Sequence, residues 1–298
     1  MKLNVYYDLK YVPCTFDFAT YLVLCNAIRQ DMNLDSMAVN IICGEFRKRT
    51  ARDHKTLDSH KNWRVHNILS RLPFLIPEVT DLDIIKRSID RIEFPAFPGG
   101  YPSEDTNASH FPVSPKALEY FVSNKAINLR PYRASEEAKK LINSTFDDNV
   151  ITITLRTSKH NPIRNSNLDE WYKVSQELKN SNFRPIIIPD FDDYMNEQDF
   201  AKYDWEIYAP AIIDLDLRLA LYEKAHDNLC INNGTSVLLH YSDCKYRMFK
   251  VICDTDSTNP EFYKKITGLE LEGKYEFATS DQHFIWEDDS ADIILKHL

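Results

Sequence analysis

Seven short apolar runs, each closed by a polar break and separated by longer amphipathic stretches, constrain this chain more than any other feature. "LNVYYDL", "SMAVNIICG" and "LDIIKRS" carry the pattern through the first half. "NVITITLR", "FRPIIIPD", "NLCINNG" and "YRMFKVI" carry it through the second. Between them, "FDFATYLVLCNAIRQDM", "DSHKNWRVHNILSRLPFLI", "NLDEWYKVSQELKNS", "LDLRLALYEKAHD" and "TSVLLHYSD" have the length and spacing of helices, and "ASEEAKKLINSTF" adds another. Strands alternating with helices predict parallel sheets covered on both faces. Residues 94–116 hold five prolines and two glycines and read as a loop, because proline removes backbone donors. The expected plan is α/β, two Rossmann-like domains at 1–115 and 116–298, which suits a chain of 298 residues.

Composition excludes several functions. A net charge of −9 and the absence of a dominant basic footprint argue against nucleic acid as a partner. Six cysteines without metal-ligand spacing, most of them in apolar runs, read as reduced thiols of an intracellular protein. The opening "MKLNVYYDLKYVP" is strand-like and unlike a signal peptide, and no apolar run approaches the ~20 residues of a membrane span. A cytoplasmic location follows. With only six glycines and no GxGxxG or GxxxxGK, dinucleotide enzymes and P-loop NTPases are disfavoured.

In open parallel sheets, ligands bind beyond the carboxyl ends of the strands. After the strand at 151–155 come Arg156, Thr157, Lys159, Arg164, Asn165 and Asn167. Asp190 follows "PIIIP", and Asn232, Asn233, Gly234, Thr235 and Ser236 follow "LCI". Three strand ends thus gather polar groups on one edge. "NNGTS" before a helix is either an anion site or a simple N-cap.

Other candidates carry two readings each. Arg218 falls within the apolar face of its helix, where it pairs with Asp214 at i,i+4, binds an anion, or does both. Asp214 and Asp216 open that helix about 160° apart, so "DLD" predicts no metal site. The nine histidines (His54, His60, His66, His110, His160, His226, His240, His283, His297) form no HxxxH or HExxH pattern. Asp8, after the first strand, is the candidate general base, whereas Asp17 reads as an N-cap. "FRKRTARDHK" concentrates Arg47, Lys48, Arg49, Arg52 and Lys55. Such a run is more often a solvated loop than a surface for an acidic acceptor or an anionic membrane.

Taken together, "NVYYDLKYVPCTFDFATYL", "NWRVHNIL", "ITITLRTSKHNPIRNSNLDEW" and "DLDLRLALYEKAHDNLCINNGTSVLLHYSDCKYRMFK" resemble GT-B-fold glycosyltransferases of bacterial surface-polysaccharide synthesis, in their fucosyltransferase-like and heptosyltransferase-like branches. The resemblance implies two domains facing a cleft, the N-terminal one on the acceptor side and the C-terminal one binding a nucleotide-sugar. It implies no metal and no cofactor. It sets Arg156 and Arg164 at the donor pyrophosphate and Asn232 to Ser236 at the turn that helps hold phosphate, while Thr157, Asn165, Asn167, Asp190 and Arg218 complete the expected pocket by their own placement. The partners it implies are a nucleotide-sugar donor and a glycan or lipid-linked acceptor, with work at the inner face of the membrane. "TLRTS" stands where fucosyltransferases carry a histidine-arginine-arginine strand end. A metal-free leaving diphosphate needs arginines and amides to take up its charge, so Arg156 is a catalytic as well as a binding candidate. A non-catalytic nucleotide-sugar or glycan-binding protein on the same fold is the alternative.

Overall fold

Both expected sheets form, and both are wholly parallel. The computed structural model describes residues 1–159, 161–190, 200–255 and 258–298, so His160 lies outside the described residues. Contacts divide the chain into Met1–Arg133 and Ala134–Leu298.

The first unit carries β1 (Lys2–Asp8), β2 (Ser36–Ile42), β3 (Val79–Ile85) and β4 (Ala96–Phe97) in the order β3-β2-β1-β4. The helix Asp17–Asp31 joins β1 to β2, and every residue from Phe18 to Ala27 is buried. A helix apolar all round belongs inside a core. Its polar tips are satisfied: the Tyr21 hydroxyl donates to the Tyr6 carbonyl at 2.7 Å, and Tyr132 donates to Ala19 at 2.9 Å.

The proline-rich stretch is part of this unit and does not lie between the two. Ala96 and Phe97 pair with Asn4 and Val5 of β1. Prolines flank this edge strand where a missing N–H leaves no ladder bond unmade. Tyr101, Phe111, Leu118, Phe121 and Tyr132 are buried, which draws residues 116–133 into the same core. The expected helix over 58–76 breaks into an α-helical turn Asp58–Arg64, a π turn Val65–Leu69 and a 3-10 turn Leu72–Leu75. Pro73 forbids a continuous helix there.

The second unit carries β5 (Val150–Thr154), β6 (Arg184–Ile188), β7 (Asp227–Ile231), β8 (Tyr246–Phe249) and β9 (Gln282–Phe284) in the order β6-β5-β7-β8-β9. The helices Glu136–Thr145, Leu168–Asn180 and Leu215–Lys224 form where amphipathic spacing predicts them. Ile151, Ile153, Trp171, Val174, Ile187, Leu229 and Phe249 form its core. The strand order reverses direction between β5 and β7, the place where doubly wound sheets open a crevice for ligands. No helix among the described residues is long and apolar enough to cross a membrane.

Candidate functional site

β5 explains the mixture of isoleucine and threonine in its sequence. All five residues are buried, and a buried hydroxyl needs a partner. Thr152 donates to the Asn228 side chain at 2.5 Å, and Thr154 shares a 2.8 Å bond with Tyr222. Beyond Thr154 the chain enters a loop that closes on itself. The Arg156 amide donates to Ser166 Oγ at 2.9 Å, and the Ser166 amide returns a bond to the Arg156 carbonyl at 2.8 Å.

Within this loop the Arg156 guanidinium, in a residue 6% exposed, donates to the Asn165 side chain and to the Asn161 carbonyl. The Thr157 amide donates to Asp190, at the end of β6, at 3.1 Å. Arg164 reaches across to the Asn232 carbonyl, after β7, at 3.1 Å. The Asn232 side chain in turn donates to the Val251 carbonyl at 2.7 Å. Arg156, Thr157, Arg164, Asn165, Asp190 and Asn232 are therefore one connected edge. Asn167 is apart from it: the residue is exposed, and its amide is bonded to Asp289 at 2.8 Å.

The turn after β7 departs from expectation. Gly234–Ser236 is a 3-10 turn and Val237–His240 a four-residue helix, too short to sum a useful dipole. The Asn233 carboxamide oxygen caps the turn, accepting from the Ser236 amide and the Thr235 hydroxyl at 3.0 Å each. Of the two readings of "NNGTS", the cap is the one the geometry realises.

Two polar atoms at this edge are left over. The Thr157 hydroxyl and the Asn233 side-chain nitrogen are buried and have no hydrogen-bond partner among the described residues. One follows β5 and the other follows β7, the two strands between which the order reverses. Arg218, 3% exposed, adds a buried cation on the helix packed beside β5. Its Nε donates to the Ala211 carbonyl at 2.6 Å, and it meets no carboxylate among the described residues. The expected Asp214–Arg218 pair does not form, because Asp214 caps its own helix through the amides of Asp216 and Leu217. Burial raises the Tyr222 hydroxyl's pKa, and the neighbouring Arg218 and the bond with Thr154 oppose that rise.

In the first unit, Asp8 is 7% exposed and both carboxylate oxygens are engaged. Oδ1 accepts from the Lys10 amide at 3.0 Å and Oδ2 from the Tyr101 hydroxyl at 2.9 Å. Burial raises its pKa, which those two bonds oppose. Asp17 is arranged differently. The N-cap is Phe16, with no side-chain capping bond, and Asp17 is the first helical residue. Its carboxylate accepts from Thr15 at 2.7 Å and lines a cleft of about 220 Å³. Arg47, Asp53, Lys61 and Arg64 line the same cleft, with Leu9 and Phe46 from the loops after β1 and β2. The available sequence signal was an acid at the first helical position, just past a strand's carboxyl end.

No group of three or more His, Cys, Asp or Glu side chains among the described residues is gathered so as to hold a metal ion. No family model matches the chain, and no curated protein does. Solved structures with a similar chain arrangement include a glycosyl transferase family 9 protein from Veillonella parvula, at 11% identity and a TM-score of 0.47, covering 95% of this chain and 84% of that one. An E. coli heptosyltransferase solved with ADP is 10% identical with a TM-score of 0.48, covering 100% and 98%. A Methanocaldococcus jannaschii UDP-GlcNAc 2-epimerase, bound to UDP-GlcNAc and UDP, is 11% identical with a TM-score of 0.41, covering 99% and 91%.

Proposed function

We propose that this chain is a metal-independent glycosyltransferase, moving a sugar from a nucleotide-sugar donor to a glycan or lipid-linked acceptor at the inner face of a membrane. The observation that carries the proposal is the edge where the second sheet's order reverses. Arg156 and Arg164 lie there beside two buried, unpartnered polar atoms, Thr157 Oγ1 and Asn233 Nδ2. Orphaned buried polar groups are uncommon and call for a ligand or water. Arginines match a diphosphate's paired oxygens.

In this reading the second unit holds the donor. As the bond from the anomeric carbon to the phosphate oxygen breaks, the nucleoside diphosphate leaves with the bonding pair. Arg156 and Arg164 stabilise that charge. Each such donor is worth on the order of 10²–10³ in rate. The acceptor hydroxyl forms the new bond and gives its proton to a carboxylate. Asp17 suits this role better than Asp8, since Asp17 lines a cleft while both oxygens of Asp8 are already engaged.

A thermal-shift panel of GDP-, UDP-, ADP- and CMP-sugars on wild type and Arg156→Ala tests the reading, each with and without EDTA. At 100 times its Kd, a ligand stabilises by about 2.7 kcal/mol. One nucleotide class should raise the wild-type Tm, with or without EDTA, and lose its effect in the variant. No shift with any donor sinks the donor site. Binding without donor hydrolysis or transfer favours a non-catalytic binding protein on the same fold.

A further inference from the structure

We infer that the cleft lined by Asp17, Lys61 and Arg64 binds a saccharide bearing a carboxylate or phosphate. The name "acceptor" for that saccharide rests on the transferase reading, but the binding chemistry does not.

The cleft's three cations are not equivalent. Arg47 is neutralised by Asp53 in a two-pronged pair, with Nε at 2.9 Å and Nη2 at 3.0 Å. Lys61 is 7% exposed, and its ammonium stands 3.1 Å from Asp58. The Asp58 side chain is 71% exposed, so solvent weakens that partner. Arg64 has no carboxylate partner among the described residues, where its side chain makes a single long hydrogen bond of 3.5 Å to the Cys14 carbonyl. A half-buried guanidinium with its donors so little engaged is suited to a two-oxygen anion, carboxylate or phosphate alike.

The surroundings reinforce the sign. Between Phe46 and Arg71 the chain carries Arg47, Lys48, Arg49, Arg52, Lys55, Lys61, Arg64 and Arg71 against only Asp53 and Asp58, a net charge of +6 in a protein of −9. Such a local excess concentrates anions at a cleft mouth. Asp17 on the cleft wall excludes a bare polyanion and suits a ligand that pairs an acid group with a hydroxyl. The apolar lining from Leu9, Val12, Pro13, Phe46 and Val113 gives a sugar ring a surface to pack on. At about 220 Å³, the cleft is smaller than the ~300–1,000 Å³ typical for drug-sized ligands. It therefore takes a single ring.

The test is calorimetric titration of the whole chain with glucose 6-phosphate, glucuronate and uncharged glucose. Wild type, Arg64→Ala, Arg64→Lys and Arg156→Ala are compared. At least one charged sugar should bind tenfold or more tighter than glucose. Arg64→Ala should lose at least tenfold, Arg64→Lys should recover part of it, and Arg156→Ala should bind as wild type. Equal binding of glucose overturns the inference, as does loss in Arg156→Ala but not in Arg64→Ala. Sedimentation with phosphatidylglycerol vesicles forms a further arm: capture by vesicles without soluble sugar binding assigns the cations to a membrane and overturns the saccharide. If Arg64→Ala fails to fold, Arg64→Gln and Lys61→Gln carry the same comparison. Failure of the nucleotide panel with these sugars still bound would sink the transferase reading alone.

Discussion

Asp53 shows how much a single carboxylate contributes to this region. It accepts bonds from Arg47 Nε at 2.9 Å and Nη2 at 3.0 Å, and from the amides of Arg49 and Thr50 at 3.1 and 2.8 Å. Thr50 Oγ1 accepts the Asp53 amide in return at 3.1 Å, completing a reciprocal cap. Burial pushes the Asp53 pKa up, but the bonds from Arg47 and Thr50 outweigh it and hold the group down at about 2, against an ordinary 3.8. The folded pKa lies below the unfolded one, so the stabilisation is complete at neutral pH and fades as pH falls through 4 towards 2. At about 1.4 kcal/mol for each tenfold change in acidity, Asp53→Asn should cost about 2 kcal/mol at pH 7. In urea titrations from pH 7 down to 3, the gap between wild type and variant should narrow. A gap that does not change with pH would show that Asp53 acts by shape alone. In the sequence, an acid and an arginine stand six positions apart with nothing to say that they pair. The same limit hid Asp17, because an acid at a helix start looks alike whether it caps the helix or faces a cleft.

At the scale of elements, the loop from Arg156 to Asn167 is held from outside itself. Asp289, 2% exposed, accepts from the Asn167 amide at 2.8 Å and the Trp171 indole at 2.9 Å. Its other oxygen meets Lys250 at 3.2 Å, and Lys250 also donates to the Asn165 carbonyl at 3.1 Å. Lys250 itself stands in the left-handed region at φ 49°, a conformation that a side-chain-bearing residue adopts at a cost. Removing the buried acid strands two donors, while Lys250 keeps the Asn165 carbonyl and Asp288 at 3.5 Å. Asp289→Ala should therefore cost about 3 kcal/mol, at roughly 1–3 kcal/mol for each buried group left unpaired. It should also shrink any nucleotide-induced Tm shift, while Asp289→Asn, which keeps an acceptor, should lose less of both. A variant with wild-type nucleotide response would show that the loop sets its own shape. Strands β5 to β8 were legible because short apolar runs closed by polar breaks have few other uses. Asp289 was not, because it lies 122 residues from Asn167. The two- and three-residue strands β4 and β9 are too short to show any period, and prolines disguised the first of them.

At the scale of the whole molecule, charge is divided in a way that the total conceals. Residues 46–71 sum to +6, so the rest of a chain with net charge −9 carries −15. The basic run is plain in the sequence, and solvated-loop statistics favour dismissing it. What the fold adds is that part of the run borders a cleft, while Lys48, Arg49 and Lys55 are exposed. Exposed charges act over roughly a Debye length, about 10 Å at 0.1 M salt, so a polyanion should feel the local patch more than the distant acids. The protein should then bind both kinds of matrix at pH 7.5. An anion exchanger should retain it through its net charge, and immobilised heparin should retain it through the patch at about 0.05 M salt, where screening is weaker. Reversing two exposed charges in Lys48→Glu/Arg49→Glu should abolish heparin retention while strengthening retention on the anion exchanger. Loss of heparin binding with an unchanged Tm separates a surface effect from unfolding. A wild-type protein that flows through heparin at that salt would show that the acids outweigh the patch, and that the cleft receives its ligand without electrostatic guidance.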